Sequence, residues 1–383
     1  MVTQVRDKMA LRYQAEGQAS RDGAWERAPA RIKVVGVGGG GCNCVRRMVY
    51  STPVPGVRFA MINTDIKALE SVRSPECDLI QIGPRMTRGW GAGGDPGVGE
   101  KAAEESAADI RGALKDAELV FVTAGMGGGT GTGAAPYVAH LAKEKGAVVI
   151  GVVTTPFGFE GSLRVGGAMA GVSRMRPYVD NLIVIHNDRL LKFVNHEAEM
   201  LEAFRTADEV VTQGILSVSE LINVPGEINV DFADVKAIMT YPGDALMAIG
   251  QGSGREGPLE AARQAIANPL LNLSIDDGKG VLFSVKGGRQ LTLGGVTAAG
   301  ELIAKAVKKD AQIFFGMCID HGLEDNVRLT LIATGLPQNR SKEVTEKYTL
   351  QDRGTYTSLE QNGHQETPET PPEKPKRRRG WLG

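Results

Sequence analysis

The sequence predicts an α/β fold, with a Rossmann-like domain on a mostly parallel sheet, a long central helix and a smaller α/β C-terminal domain. Three observations carry this expectation. From Arg31 onward, short apolar runs alternate with amphipathic helical segments, the pattern of a parallel sheet covered on both faces. Glycine-rich runs at 36–41 and 127–133 each follow an apolar strand and precede a helical segment. Between Glu199 and Asn223, Met200, Phe204, Ala207, Val211, Ile215, Val218 and Ile222 recur every three or four residues. At 1.5 Å per residue that helix is about 35 Å long, enough to cross a domain.

In order, the pattern gives strand Ile32–Val37, helix Cys42–Tyr50, strand Arg58–Asn63, helix Glu100–Ala117, strand Leu119–Thr123, helix Ala134–Lys145 and strand Ala147–Thr154. The long helix stops at Pro225-Gly226. Beyond it come helices Asp234–Ile249 and Leu259–Asn268 and strand-like runs Gly280–Lys286, Ile313–Ile319 and Asn326–Ala333. The expected division is a mobile extension over 1–30, a nucleotide domain over 31–198, the helix over 199–223, a second domain over 224–335 and a disordered linker and tail over 336–383. No internal repeat is visible.

Composition narrows the function. A chain of 383 residues holds two domains of ordinary size. A net charge of −1 argues against nucleic acid as a partner for the body of the protein. No apolar run approaches the roughly 18 residues of a membrane span, and residues 1–30 lack the apolar stretch of a secretory signal. Cys42, Cys44, Cys77 and Cys318 show no paired spacing, which fits a reducing cytosol.

Gly-Gly-Gly-Thr-Gly-Thr-Gly at 127–133 is the clearest chemical signal. Glycines let backbone N–H groups approach an anion, the threonines offer hydroxyls, and the following helix turns its positive end toward the ligand. No Lys follows, so this is not the common GxxxxGK[ST] loop. A flexible linker is the bland alternative, and the apolar strand and helix on either side argue against it. The run at 36–41 also satisfies GxGxxG, and Asp65 sits where a ribose-binding acid would, as in a nucleotide-dependent oxidoreductase. A single pyrophosphate does not need two such loops; a nucleoside triphosphate could use both.

After the long helix, Asn229, Asp231 and Asp234 form an acidic loop at a helix start. Helix capping is the plain reading of such spacing. The chemical reading is that the carboxylates and the amide polarise a water for attack on a phosphoryl group. The helix would place this loop at the end of the molecule opposite the glycine loops.

Together GVGGGG at 36–41, NTD at 63–65, GAGG at 91–94, GMGGGTGTGAAP at 125–136, PFGFEG at 156–161, FRTAD at 204–208 and NVDFADV at 229–235 make the chain resemble the FtsZ family, the tubulin-related GTPases of bacterial cell division. The likeness runs from about Arg31 to Gly335. It implies a tubulin/FtsZ-like fold, GTP and GDP as ligands, and a cytoplasmic protein acting at the division site on the inner face of the membrane. It also implies a head-to-tail homopolymer in which the acidic loop of one subunit completes the site of the next, a heterologous contact that does not close.

By the same resemblance, Gly39, Gly40, Gly41 and Asn43 would line the α- and β-phosphates, and Gly128, Gly129, Thr130, Gly131 and Thr132 the β- and γ-phosphates. Glu160 and Arg164 would reach ribose and phosphates, with a surface salt pair as the alternative. Asn187 and Asp208 would read the base, Asp208 accepting from guanine N1–H and the 2-amino group. Phe204, one turn earlier, would stack on the base or pack in the core. Asn229, Asp231 and Asp234 would act on water in the neighbour's site. Mg²⁺ would be held mainly by phosphates and water, since no carboxylate cage for a metal is visible.

Several features depart from the family. Cys42 and Cys44 flank Asn43 at a helix start, where a thiol pKa can fall; small-residue packing is the preferred reading. Trp90 stands where the family has a smaller apolar residue. The end, KPKRRRGWLG, replaces the short apolar peptide that docks on membrane-anchor and regulatory proteins. It would still meet a protein partner, or else place Lys374, Lys376, Arg377, Arg378, Arg379 and Trp381 on anionic lipid. A tubulin-like paralogue with a structural role outside septation is the alternative function.

Overall fold

A computed structural model describes residues 25, 28–51, 54–72, 74–190, 200–268 and 275–337. Most of the expected N-terminal extension and the tail from 338 onward lie outside the described residues.

The strands are β1 (Ile32–Val37), β2 (Val57–Asn63), β3 (Cys77–Gln81), β4 (Leu119–Gly125), β5 (Val148–Thr155), β6 (Asn181–His186), β7 (Asp244–Ser253), β8 (Gly280–Gly287), β9 (Gln312–Ile319) and β10 (Asn326–Leu336). They form one sheet in the order β3-β2-β1-β4-β5-β6-β7-β10-β8-β9. From β3 to β6 every pairing is parallel. β1 is buried at every position, as expected of a central parallel strand covered on both faces. β6 and β7 share only the pair Ile183 and Ala245; beyond it β10 runs antiparallel to both β7 and β8. The continuous ladder thus narrows to a single pair where the two halves meet.

The main helices are α1 (Gly38–Val49), α2 (Pro96–Glu105), α3 (Ala107–Ala113), α4 (Gly129–Glu144), α5 (Ser162–Met175), α6 (Met200–Asn223), α7 (Phe232–Met239), α8 (Gly257–Ile266) and α9 (Leu293–Ala306). One face of the parallel sheet packs Phe121, Ile150 and Ile183 against Val211, Ile215 and Val218 of α6. The other face buries Val35, Val122 and Val149 with Ala135, Val138 and Leu141 of α4. A third core lies between the second half of the sheet and helices α8 and α9.

The expected helix at Glu100–Ala117 is two helices. The ladder breaks at Ser106 (φ −104°, ψ 22°), whose hydroxyl accepts from Gly83 N–H at 3.1 Å. The expected helix at Asp234–Ile249 is also wrong beyond Met239, because Pro242 and Gly243 (φ 140°) break it and the chain enters β7. Ala245, Leu246 and Met247 are good helix formers, so the tertiary pairing with β10 overrides their propensity.

α6 is tied down at both ends. Near its start Asp208 meets Cys44 and Arg47 of α1; its last residue, Asn223, bonds the backbone of Ala30, two residues before β1. The helix therefore spans the sheet from the carboxyl ends of the strands to their amino ends. Twenty-four residues give it a length of about 36 Å.

Candidate nucleotide site

Both glycine runs lie at the carboxyl ends of strands, β1 and β4, where open parallel sheets bind ligands. The helices start inside these runs, at Gly38 rather than Cys42 and at Gly129 rather than Ala134. Glycine is a poor helix former, and close packing explains its use here. A Cβ at Gly41 would lie 2.2 Å from the Thr123 carbonyl oxygen, and one at Gly133 would lie 2.0 Å from that of Pro96. A Cβ at Gly38 (φ 70°) would meet the Gly131 nitrogen at 2.6 Å, so the two runs are in backbone contact and form one cradle.

Gly39 and Gly128, by contrast, have no atom within 4 Å of a Cβ position. They face the open mouth. The N-caps of α1 and α4, Val37 and Gly128, make no side-chain capping bond, whereas Asp65, Asp95 and Thr292 cap the helices that follow them. The first N–H groups of α1 and α4 are thus left without a side-chain cap.

The threonines shape the cradle. Thr130 and Thr64 share a hydroxyl–hydroxyl bond of 2.7 Å, and Thr132, 1% exposed, accepts from Gly127 N–H at 2.8 Å. Arg174 donates to the Thr132 carbonyl at 3.0 Å and pairs with Glu100. Asn43 is exposed on α1 and accepts from Arg46 at 3.0 Å. Asp65 caps the helical turn that follows it, its Oδ1 accepting from Lys67 N–H at 2.9 Å. Trp90, 84% exposed, stands on a loop whose Ala92 and Asp95 pack against Gly129.

Glu160 accepts from Phe157 N–H at 2.9 Å and from Arg164 at 2.7 Å, so these two residues form the surface salt pair given above as the alternative. Phe204 is 37% exposed and meets Phe157 edge-on at 5.1 Å, while Phe157 stacks on Phe159 at 5.2 Å. Sequence reasoning overlooked these two phenylalanines although both lie in the PFGFEG motif. Asn187 is 6% exposed, and its Oδ1 has no hydrogen-bond partner. An orphaned buried carbonyl is costly and needs a donor from water or a ligand; Asn181 Oδ1 and Thr212 Oγ1 are in the same position. Asp208 accepts from Cys44 Sγ and Arg47 Nε, each at 3.3 Å, and burial raises its pKa.

Burial also settles the thiols. It pushes Cys42 up to about 12 and Cys44 well above the ordinary thiol range. A depressed thiol pKa at this helix start is therefore not what the fold produces, and packing accounts for both residues.

The acidic loop follows the far end of α6. Asp231 is exposed and occupies the N-cap of α7, yet its side chain makes no capping bond. Asp234 is half-buried in the first turn. Asn229 accepts from Gly226 N–H at 2.7 Å and so shapes the loop. None of the three is brought to the glycine cradle within one chain. Among the described residues, no group of three or more His, Cys, Asp or Glu side chains could hold a metal ion, and no helix is long and apolar enough to cross a membrane.

Comparison with known proteins agrees with this geometry. A model of the Tubulin/FtsZ family GTPase domain matches residues 31–195, and one of the FtsZ family C-terminal domain matches 243–337. An FtsZ dimer from M. jannaschii is 39% identical over 86% of this chain and 92% of its own, with a TM-score of 0.77. The chain belongs to the FtsZ family. A point mutant of M. jannaschii FtsZ matches equally well, at 39% identity and a TM-score of 0.77 over 86% of this chain and 95% of its own. CetZ2 from Haloferax volcanii is 22% identical with a TM-score of 0.70, over 84% of this chain and 98% of its own, and shares the fold. Membership makes the chain a filament-forming GTPase of the FtsZ type, with GTP and GDP as its ligands.

The cradle has room for such a ligand: no atom lies within 4 Å of a Cβ position at Gly39 or Gly128, and the buried Asn187 carbonyl has no hydrogen-bond partner.

Proposed function

We propose that this protein hydrolyses GTP only between stacked subunits, in a filament that forms the cytokinetic ring. The observation that carries the reading is the separation of the two halves of the site. The cradle lies at the carboxyl ends of β1 and β4, the acidic loop beyond Asn223 at the opposite end of α6. A head-to-tail stack joins them.

In that stack Gly39, Gly40, Gly41, Asn43 and the 128–132 segment hold the phosphates, Asn187 and Asp208 the guanine, and Phe204 its face. Glu160 and Arg164, paired with each other, reach the ribose and phosphates by exchanging partners. Asp231 and Asp234 of the neighbour orient the attacking water, with Asn229 fixing the loop that carries them. Mg²⁺ bound through phosphates and water supplies neutralisation of the charge developing on the transferred group. Membrane-anchor or regulatory proteins meet the C-terminal tail, whose basic end also suits anionic lipid.

The test is GTP turnover per subunit against protein concentration, with Asp231→Ala alone and mixed into wild type. A threshold, and a variant that binds GTP yet poisons the mixture, support a shared site. Turnover independent of concentration refutes it. A tubulin-like paralogue with a structural role outside septation is not better supported, the CetZ matches being more distant than the FtsZ ones; a depletion phenotype with intact division would favour it.

A further inference from the structure

Asp208 is held from behind. Its side chain is 16% exposed; Oδ2 accepts from Arg47 Nε and Oδ1 from Cys44 Sγ, both at 3.3 Å and both from α1. We propose that Arg47, seconded by Cys44, is the positioning residue that makes Asp208 select guanine over adenine. The inference rests on the reading that Asp208 faces the base.

The argument is one of donor and acceptor patterns. An ionised carboxylate offers acceptors alone, which match guanine N1–H and its 2-amino group. A protonated carboxyl on the same edge offers a donor that adenine N1 accepts, and it leaves one of guanine's two donors facing an O–H instead of an acceptor. The charge state of Asp208 therefore decides which purine fits. Burial favours the neutral form, and the Arg47 guanidinium, always charged, opposes it. Arg47 Nε also holds one carboxylate oxygen and Cys44 Sγ the other, so both oxygens are restrained from α1.

The groups facing Asp208 are Cys44, Arg47 and, farther off, Arg46, all on α1. On its own helix the flanking Arg205 and Glu209 are exposed. On the short helix Asn187–Leu190, packed against the start of α6, Asp188 and Arg189 act on His186.

The experiment measures the ratio of GTP to ATP affinity by titration calorimetry on the full chain, diluted to limit assembly, between pH 5.5 and 8. Phosphate ionisation cancels in the ratio. Wild type should keep a flat ratio across the range. Arg47→Gln should match it at pH 8 and lose about tenfold per pH unit once the carboxyl begins to protonate; Arg47→Lys should restore most of the flat profile. Circular dichroism checks folding, and should Arg47→Gln fail to fold, Cys44→Ala should show a smaller loss in the same direction. Asp208→Asn separates the two claims. If it keeps the wild-type ratio, the base reading falls. If it collapses the ratio at every pH while the Arg47 and Cys44 variants track wild type, Asp208 reads the base and the role given to Arg47 is overturned.

Discussion

Asn223 clamps Ala30 from both sides. Its Oδ1 accepts from the Ala30 N–H at 3.0 Å, and its Nδ2 donates to the Ala30 carbonyl at 2.9 Å. Both groups are buried and 193 positions apart in sequence. The last residue of α6 is thereby fixed to the chain entering β1, and the acidic loop that follows inherits its position from this contact.

Asn223→Ala should leave the buried Ala30 N–H and carbonyl without partners. Loss of about 2 to 3 kcal/mol is expected, read as a lower urea midpoint. GTP affinity should hardly change, because the cradle lies at the other end, while turnover in the assembled protein should fall. Equal losses in binding and turnover would refute this division.

The glycines of the cradle should separate into two kinds. Gly41→Ala forces a Cβ against the Thr123 carbonyl oxygen, 2.2 Å away, and should destabilise the fold by several kcal/mol or prevent folding. Gly39→Ala meets no protein atom and should fold normally while weakening GTP binding. Thermal melts with and without GDP measure both effects.

Three of the four thiols should resist modification. Cys42, Cys44 and Cys77 are buried, and burial holds Cys42 and Cys77 up near 12. Ellman's reagent at pH 8 should find one accessible thiol in the native protein, Cys318, and four after denaturation. Rapid native labelling of Cys42 or Cys44 would contradict the packing described here.

His186 should govern part of the acid sensitivity. Burial lowers its pKa from 6.5 to about 4, and Nδ1 lies 3.0 Å from the Thr155 hydroxyl. The unfolded chain takes up a proton at higher pH than the folded one. The contribution to stability is therefore complete above pH 6.5 and is lost as pH falls toward 4, to a limit of about 3 kcal/mol. His186→Gln should flatten the curve across that window; an unchanged slope would count against a buried neutral imidazole.

The sequence made some elements plain for physical reasons. β1 is uniformly apolar because both its faces are covered, and the period of α6 is visible because Ala207, Val211, Ile215, Val218 and Ile222 pack on one sheet face. Other features depend on partners distant in sequence. The glycine at 133 is required by the closeness of the Pro96 carbonyl, and the strand through Leu246 and Met247, despite their helical propensity, by pairing of β7 with β10. Within the site, glycine runs announce a phosphate cradle. The Glu160–Arg164 pair follows from i,i+4 spacing, whereas the orphaned Asn187 carbonyl and the Arg47 contact on Asp208 are tertiary facts that spacing does not encode.

The two ends of α6 are chemically unlike, and this gives any stack of subunits a direction. One tip would expose a vacant cradle able to exchange its nucleotide with solvent, the other a carboxylate loop with nothing to act upon. Growth and shrinkage at the two tips would then obey different rate laws. A fibre assembled from these subunits would carry an arrow along its length, set by how a single helix is anchored.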